Sequence, residues 1–478
     1  MEPKTVVALS EARLSSVICQ CSSGLEIQTA LLRFTRHVAV FELYSPSVVL
    51  RTSEVLNLFK IVLGDQTVYS GRAVVNSLVD VGDMLVCEAT LEDHWANIPP
   101  VSQDGEKGWQ SRFSDFLRQW QKSYKINPEF KLVVADLRSL LADLRLWMAE
   151  MELSIRPSST GEPESLLQSA AHELATPVLS VIDSLGDRFE EIASGLDPEL
   201  RPAHVHFTRR NLHSLLLCSP FGNRTFSKPL GYAGDYEMVS MILRNPYEGG
   251  SLYAKVVNAW FLNQLPAQGH RNRIKFLKNR LIEETSRVKR SGNRVQILNL
   301  GCGPANEILE FLAESDLCNK ASFTLLDFNE ETIQSTSRAL SRVSKRFSRK
   351  TPVQIQKKSV QQLLKEAAKS TANPADGKYD FIYCAGLFDY LPDRVCKQLV
   401  GLFYQWLAPG GVALVTNVDG TRPFRNKLEF ILDWNLIYRT GRQLSCLQPE
   451  QASADGCSVK SDSTGVNVFL EIRKPNHG

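Results

Sequence analysis

Two glycines near the middle of the chain have the spacing of a turn that approaches a small molecule. Gly301 and Gly303 follow the apolar run VQILNL at 295–300 and precede a helical pattern that starts near Pro304. Glycine lets the backbone turn sharply against a ligand that a side chain would exclude, and the free N–H groups of a helix N-terminus point toward such a ligand. Alone, the two glycines fit a plain strand-to-helix turn equally well.

Asp327 separates these two interpretations. It ends the next apolar run, in TLLDFNEE, where a carboxylate can accept hydrogen bonds from both hydroxyls of a ribose. The ligand should therefore be a nucleoside or a nucleotide. A dinucleotide site would have a third glycine at the position of Asn306, and a phosphate-binding loop would have Lys followed by Ser or Thr. This turn has neither.

Residues 294–474 resemble the class I S-adenosylmethionine (SAM)-dependent methyltransferases. The resemblance rests on the shortened glycine motif, on the acidic residue that ends the second strand, and on LAPGG at 407–411 before the fifth strand. It implies a Rossmann-like α/β sheet, SAM as cofactor and methyl transfer. Asn299 stands where these enzymes usually have an acidic residue facing the methionine amino group, but it can still accept a hydrogen bond, and Ala305 replaces the third glycine. The resemblance adds three residues to the cofactor site: Phe328 after Asp327 and, beside the adenine, Ser359 and Val360.

Three further segments narrow the resemblance. They are RTFSKPLGYAGDYEMV at 224–239, CAGLFDYLPDRV at 384–395 and NKLEFILDWNLIYR at 426–439. They look like a subgroup of bacterial methyltransferases that make an extracellular factor, the methyl ester of 3-hydroxypalmitic acid, and in which a degenerate PilZ-like barrel often precedes the catalytic domain. The acceptor implied is a small molecule, such as a fatty acid methylated on its carboxylate or hydroxyl.

The first and second of these segments contain the residues expected at the reacting groups. Asp389 and Tyr390 follow the fourth strand, where the resemblance implies residues at the transferred methyl, although Asp389 could equally cap a helix entered at Pro392. A carboxylate acceptor needs no base, whereas a hydroxyl or an amine would use Asp389. The segment at 224–239 is either a lid over the methyl donor or an ordinary turn with tyrosines packed on the sheet edge. As a lid, it would direct three side chains at the cofactor: Tyr232, Asp235 and Tyr236.

The third segment predicts a helix that carries Glu429, Trp434, Tyr438 and Arg439. Part of this set is core, because Trp and Tyr are common core anchors. Arg439 is the stronger candidate for substrate binding, since a guanidinium can bind a carboxylate or phosphate at two points, and Glu429 is the second. The histidines of the helical region and of the segment before the sheet are expected to be structural or exposed: His172, His206, His213 and His270.

The elements that must position these residues fall into three regions. HVAVFELY, QTVYSGRAVV and DMLVCEATL are short strands separated by turn residues, which predicts a small PilZ-like β-barrel at 1–104. Residues 105–219 repeat apolar positions at helical spacing and predict a helical connector, with a helix kinked or divided at Pro177. Residues 220–478 form the predicted methyltransferase domain. Its strands alternate with helices, which implies a parallel sheet covered on both faces, with its ligand at the carboxyl ends of the strands.

The composition restricts the class of protein. The 478 residues carry a net charge of +3, with 43% hydrophobic and 22% charged residues, as in a globular protein of two or three domains without a nucleic-acid or membrane signature. CAGLFDY also lacks the Asp/Asn-Pro-Pro-aromatic run of methyltransferases that act on nucleic-acid amines. Ten cysteines without a CxxC pair predict reduced thiols and no metal site. With no secretion-type start, a bacterial cytoplasmic location is expected.

The rival hypothesis is a non-catalytic regulatory protein that responds to SAM or to cyclic-di-GMP. PilZ domains bind cyclic-di-GMP with an Arg-x-x-x-Arg arm and an Asp-x-Ser-x-x-Gly turn. Here RFTR, with Arg33 and Arg36, is one residue short of the arm, and NSLVDVG at 76–82 replaces the turn. We therefore expect the barrel to bind a protein partner or to present substrate. The helical region could form a homodimer interface, or its apolar faces could be buried against the catalytic domain.

Overall fold

The structure, a computed structural model, describes part of the chain in detail. Two stretches named in the sequence analysis lie outside that part: most of residues 105–125 of the predicted connector and the end of NSLVDVG. No described helix is long and apolar enough to cross a membrane. The described residues are 15–22, 24, 26–43, 50–63, 66–80, 85–92, 114, 117, 126–154, 163–289, 294–369 and 377–476.

Within the described N-terminal region, six strands close into an antiparallel barrel. The strands are β1 Ser15–Gln20, β2 Glu26–Phe34, β3 Val38–Leu43, β4 Val55–Leu63, β5 Gln66–Asp80 and β6 Leu85–Leu91. Their order around the barrel is β1-β2-β3-β6-β5-β4. Side chains on alternate positions fill the interior, among them Phe41, Phe59 and Tyr69. The predicted barrel is confirmed, and β1, β2 and β4 are strands that the sequence analysis did not predict.

The next described region is helical. Its helices are α1 Pro128–Ser154, α2 Pro163–Ser194, α3 Arg201–Leu216, α4 Pro220–Ser227, α5 Tyr236–Leu243, α6 Leu252–Asn263 and α7 Leu265–Lys289. α2 is not divided at Pro177 but runs through it. Phe130 of α1 and Phe189 of α2 pack on Phe430 in the C-terminal region, with ring centroids 5.9 and 5.7 Å from that of Phe430. Apolar faces of the connector are therefore buried within the chain.

The described C-terminal residues form a seven-stranded sheet. Its strands are β7 Val295–Leu300, β8 Ala321–Asp327, β9 Val353–Lys357, β10 Tyr379–Cys384, β11 Leu407–Val418, β12 Cys457–Ser461 and β13 Asn467–Arg473. The order is β12-β13-β11-β10-β7-β8-β9, with β7 to β11 parallel and β13 antiparallel to both of its neighbours. The chain moves outward from β7 to β9 and returns to the other side of β7 at β10. Such a reversal opens a crevice at the carboxyl ends of the two central strands, directly beside Gly301.

Helices cover both faces of this sheet. The remaining helices are α8 Asn306–Glu314, α9 Glu330–Arg346, α10 Val360–Lys369, α11 Asp393–Trp406, α12 Arg425–Leu432 and α13 Gly441–Ser445. Of these, α12 packs on the helical region and not on the sheet. One face is covered by α7, α8 and α9, and the other by α10 and α11, each with its own buried cluster. The predicted Rossmann-like layers are confirmed.

Candidate functional site

The glycine turn after β7 has the backbone conformation that favours glycine. Gly301 and Gly303 have φ angles of +69° and +51°, which L side chains rarely adopt. The N–H groups of Gly301 and Cys302 donate to the Leu326 carbonyl at 2.8 and 3.1 Å. A Cβ on Gly301 would lie 3.4 Å from Leu387. The turn is therefore tied to the end of β8 and closely approached by the segment after β10.

Asp327 lies beside this turn at the end of β8. Its Oδ2 accepts a hydrogen bond from Gly303 N at 3.1 Å, and its Oδ1 accepts one from Asn329 N at 3.0 Å. Burial raises the pKa of Asp327, and these backbone N–H groups and the nearby Arg51 act against that rise. The glycine turn therefore helps to hold the Asp327 carboxylate in place. The turn and the carboxylate were predicted to bind the same ligand.

A cavity extends from the glycine turn into the space between the sheet, α6, α7 and the residues that follow α12. Beyond the turn its walls are mainly apolar and include Phe221, Met238, Val239, Ile242, Trp260, Phe261, Leu428, Leu432 and Leu436. The predicted site residues that line it are Asn299, Gly301, Gly303, Asp327, Phe328, Val360, Tyr232, Tyr236, Asp389 and Tyr390. The predicted site residues that lie outside its lining are Asp235, Ser359, Glu429 and Arg439.

Two of these outlying residues begin helices. Asp235 caps α5, because its Oδ1 accepts a hydrogen bond from Met238 N at 2.8 Å, and it also forms an ion pair with Arg224 at 2.9 Å. Ser359 accepts a hydrogen bond from Gln362 N at 3.1 Å in the first turn of α10. Both side chains satisfy N–H groups that helix starts leave without partners.

Glu429 faces a second cleft, between the barrel and the helical region. Its two carboxylate oxygens lie 2.6 Å from Arg201 and 2.6 Å from Arg425. This cleft is lined by residues of the barrel, of α3 and of the region around α12. Glu429 is therefore separated from the cavity at the glycine turn.

Arg439 is buried, with 3% of its side chain exposed. It donates hydrogen bonds to the carbonyls of Phe388 and Leu391 and to Asn417 Oδ1, each at 2.7 Å. It also pairs with Asp393 at 2.6 Å. The guanidinium thus stabilises the segment after β10 without lining the cavity.

The prediction of one helix over NKLEFILDWNLIYR is wrong. α12 ends at Leu432, because Asp433 adopts a left-handed φ of +51°, and the residues that follow are not helical. The buried carboxylate of Asp433 is held by Arg209 at 2.8 Å and by Lys228 at 3.3 Å. These partners lie far away in sequence, so no local pattern indicates the break. We call residues 433–440 the strap.

Asp389 and Tyr390 lie in a 3-10 turn directly after β10. Asp389 Oδ1 accepts a hydrogen bond from Val418 N at 2.6 Å; it does not cap α11, so that alternative is wrong. Its Oδ2 lies 3.9 Å from Arg273 Nη1. Burial raises the pKa of Asp389 to about 6, outweighing the opposing effect of Arg273. The indole of Trp434 in the strap donates to the Tyr390 hydroxyl at 2.9 Å.

α7 brings two polar residues into the cavity that the sequence analysis did not select. Arg273 Nη2 lies 2.7 Å from His270 Nδ1, and a Cβ on Gly386 would lie 3.1 Å from this guanidinium. Burial lowers the pKa of His270 well below its usual range, so the ring is neutral, and because Arg273 donates to Nδ1 the proton is on Nε2. That nitrogen is buried and has no hydrogen-bond partner among the described residues. The sequence did contain an indication of this cluster. The helical spacing of these residues places them on one face of α7, and all of them line the cavity: His270, Arg273, Ile274 and Leu277.

Glu307 was also missed, and it lies beside Asn299. Asn299 Nδ2 donates to Glu307 Oε1 at 3.3 Å, and the Tyr383 hydroxyl donates to the same oxygen at 2.8 Å. Burial raises the pKa of Glu307, against the effect of Tyr383. Asn299 Oδ1 is buried and unpaired within the described part of the chain. An acidic side chain from the first turn of α8 is therefore hydrogen-bonded to Asn299.

Residues 269–452 match the family model of a methyltransferase domain. This part of the chain is a methyltransferase domain. Its sheet order, glycine turn and acidic residue after the second strand are those of the class I enzymes, so the protein is a class I SAM-dependent methyltransferase with SAM as its cofactor. No curated protein matches the sequence.

Solved structures resemble the methyltransferase only distantly. A "possible exported protein" from Bordetella parapertussis is 17% identical, with 67% of this chain and 99% of that chain covered and a TM-score of 0.40. The N-methyltransferase NodS from Bradyrhizobium japonicum WM9, in complex with S-adenosyl-L-homocysteine, is 15% identical, with 50% and 98% covered and a TM-score of 0.29. Magnesium protoporphyrin IX methyltransferase from Synechocystis PCC 6803, with bound SAM, is 12% identical, with 49% and 89% covered and a TM-score of 0.30. The enzyme class therefore rests on the family model and on the site.

Proposed function

We propose that this enzyme transfers the methyl group of SAM to a carboxylate or hydroxyl oxygen of a small, largely apolar acceptor. The observation that carries the proposal is the apolar cavity that continues from the glycine turn and contains the unpaired Nε2–H of His270 beside Arg273. Apolar walls stabilise a hydrocarbon ligand by removing it from water, and a few polar groups fix its orientation.

The residues around the glycine turn fit SAM. Glu307 and the free Oδ1 of Asn299 suit the positively charged methionine end, the carboxylate of Asp327 suits the two ribose hydroxyls, and Phe328 and Val360 offer apolar contact to the adenine. When bound, SAM supplies the methyl group on a positively charged sulfur. We assign these residues to the cofactor, together with two tyrosines of the segment at 224–239 that line the same cavity: Tyr232 and Tyr236.

The acceptor oxygen is assigned to the space near Asp389, His270 and Arg273. The Nε2–H of His270 donates a hydrogen bond to this oxygen, and the positive charge of Arg273 favours an anionic form of it. A carboxylate then attacks without a base. A hydroxyl transfers its proton to Asp389, which is ionised above its pKa of about 6. Holding the acceptor oxygen in line with the methyl group supplies much of the rate.

The narrower resemblance suggests which acceptor to test first. 3-Hydroxypalmitic acid carries a carboxylate and a hydroxyl on a long apolar chain, which suits a cavity with apolar walls and a polar end. The closed barrel at the N-terminus supports the PilZ-like assignment. We accordingly propose a bacterial-type enzyme with a PilZ-like barrel at 1–104, a helical connector at 105–219 and a methyltransferase domain at 220–478.

Calorimetric titration of SAM tests the cofactor site. We expect saturable binding by the wild type, at least a tenfold weaker dissociation constant for Asp327→Ala because two hydrogen bonds to a charged acceptor are lost, and unchanged binding for Asp455→Ala, which alters an exposed aspartate of the same domain. Binding that Asp327→Ala leaves intact would remove the ribose assignment.

Labelled SAM with palmitate, 3-hydroxypalmitate and hexadecanol tests the acceptor. A methyl ester is cleaved by mild alkali and a methyl ether is not, so the product identifies the oxygen that is methylated. We expect His270→Asn to raise the acceptor KM without changing SAM affinity, and the exposed His172→Asn to change neither. If SAM binds but no acid or alcohol of this series is methylated, the proposed acceptor class is wrong.

One observation favours the regulatory alternative as a second candidate. Arg36 and Asn76, from the two altered PilZ motifs, line the second cleft together with Arg72, whereas Arg33 does not. Within the described residues, five arginines line the cleft, but four of them already pair with its acidic residues Glu92, Glu429 and Asp433. Titration with cyclic-di-GMP tests it: saturable binding lost in Asn76→Ala supports the regulatory role, and no binding by a protein that binds SAM removes it.

A further inference from the structure

Part of the N-terminal barrel reaches the cavity of the methyltransferase domain. We call residues 50–55 the barrel arm; it leads into β4. Two of its side chains, Arg51 and Thr52, line the same cavity as the glycine turn and Asp327. The wall of the cavity at this point therefore belongs to the barrel and not to the Rossmann-like sheet.

The arm is anchored on the barrel side by a buried carboxylate. Glu54 is 2% exposed, and its two oxygens accept hydrogen bonds from Arg51 N at 3.0 Å and from Ser22 N at 2.8 Å. Ser53 adopts a left-handed φ of +59° and donates its N–H to the Val75 carbonyl at 2.7 Å. A non-glycine residue in that region costs on the order of 1 kcal/mol, so these contacts must hold the arm in its shape.

The arm is also anchored to the catalytic domain. Thr52 N donates to the Tyr390 carbonyl at 3.3 Å, and Val55 N donates to the Gly231 carbonyl at 2.7 Å. Ser53 Oγ donates to the carbonyl of Asn435 in the strap at 2.9 Å. The arm is thus hydrogen-bonded to three other parts of the chain: the segment after β10, the segment at 224–239, and the strap.

These anchors place the side chain of Arg51 over Phe328. The guanidinium carbon lies 4.0 Å from the Phe328 ring centroid and 5.9 Å from that of Tyr232, and the two rings are 5.1 Å apart. The positive charge of Arg51 lowers the pKa of Asp327, against the effect of burial. Its guanidinium has no hydrogen-bond or ion-pair partner in the described part of the chain.

We propose that Arg51, supplied by the barrel, is a positioning residue of the SAM site that contacts the adenosyl part of the cofactor. The proposal rests on the assignment of SAM to the cavity at Asp327. A guanidinium offers five N–H donors in a plane, and here it is left free beside the carboxylate and the aromatic ring assigned to the ribose and the adenine. The methyl-donor site is consequently incomplete without the barrel.

The charge of Arg51 has a second effect on the same site. A buried carboxylate tends to take up a proton, and only its ionised form accepts hydrogen bonds at both oxygens. A cation beside Asp327 favours that ionised form. Arg51 therefore supports SAM binding both by direct contact and through Asp327.

Titrations with SAM and with 5′-methylthioadenosine, which lacks the amino acid end, test this inference. We expect Arg51→Ala in the full-length chain to weaken both ligands by a similar factor of about ten, because a hydrogen bond from a charged donor is lost. Arg51→Lys keeps the charge without the planar contact to Phe328 and should give a smaller loss. Lys60→Ala removes an exposed cation from β4 of the barrel and should change neither affinity.

The outcomes separate this inference from the proposed function. Absence of SAM binding by the wild type would overturn the cofactor assignment itself. Wild-type affinity in Arg51→Ala would overturn only the role of Arg51, as would a loss restricted to SAM and not shared by 5′-methylthioadenosine. Far-UV circular dichroism and the melting temperature show whether Arg51→Ala is folded; if it is not, Arg51→Gln, which retains the side-chain stem, replaces it in the same titrations.

Discussion

At the scale of single residues, Asp389 combines a structural cost with a chemical use. The carboxyl group is buried at the end of β10, beside the cavity, and its pKa is raised from 3.8 to about 6. A raised pKa means that the folded state holds the proton more tightly than the unfolded state does. Stability contributed by this group is therefore present at low pH and is lost as the pH rises from about 4 to about 6. At neutral pH the enzyme carries a buried charge that folding disfavours.

Asp389→Asn should consequently stabilise the protein at neutral pH and impair a reaction that needs a base. Asparagine keeps an acceptor for Val418 N without the charge, and the raised pKa corresponds to a gain of up to about 3 kcal/mol in the free energy of unfolding. Denaturant melts of both proteins at pH 4 and pH 7.5 check this. The difference should be large at pH 7.5 and small at pH 4; equal stabilities at both pH values would contradict it.

At the scale of secondary structure, the strap forms the far wall of the cavity because a helix stops early. Asp433 ends α12, and the non-helical residues after it place Trp434 against Tyr390. The strap is then joined at its end to the segment after β10 by Arg439. Arg439 thus stabilises the segment after β10 from outside the cavity. Its predicted contact with substrate stays a prediction.

Replacing Arg439 by lysine distinguishes a role in stabilising the segment after β10 from direct contact with substrate. Lysine cannot serve the Phe388 and Leu391 carbonyls and Asn417 at once, so buried acceptors lose their partners and the free energy of unfolding should fall by about 2 kcal/mol. If Arg439 stabilises that segment, Arg439→Lys lowers kcat and the melting temperature while the acceptor KM changes little. A raised KM with an unchanged melting temperature would instead support direct substrate binding. Arg210→Lys, at an exposed position of α3, is the matched control.

At the scale of the whole molecule, the barrel and the catalytic domain share one site and should respond to SAM together. Their contact includes the backbone hydrogen bond from Val55 to Gly231 and the one from Thr52 to Tyr390. A ligand that binds only the folded, assembled form stabilises every part that must open for its release.

Hydrogen exchange should therefore show protection by SAM in a part of the barrel. We expect slower exchange in peptides that cover residues 50–55 and 231–236, and no change in β2, which lies away from the cavity. Arg51→Ala should lose the protection at 50–55 at SAM concentrations that saturate the wild type. Protection confined to the Rossmann-like sheet would contradict a shared site.

Local chemistry was enough to predict a nucleoside or nucleotide ligand, and the resemblance to the class I methyltransferases then specified SAM. Gly301 and Gly303 are needed where the backbone turns through positive φ, and Asp327 ends a strand; these features depend on a few neighbouring residues. The alternation of strands and helices then predicts the sheet and its ligand-binding edge. The barrel was predicted from its more regular strands, whereas β4 was missed because Leu58 interrupts its alternation with a φ of +52°.

Both ends of the cavity contain residues that only the tertiary structure brought together. Glu307 lies beside Asn299, His270 lines the cavity because α7 packs on the sheet, and Arg51 reaches the same cavity from the barrel. Apart from the His270–Arg273 pair on α7, these contacts join residues of different elements, and no local pattern indicates them. The sequence by itself determined the strand-to-helix turn and the carboxylate beside it, because backbone conformation and strand ends are local. Which side chains surround the acceptor depends on long-range packing, which only the folded chain specifies.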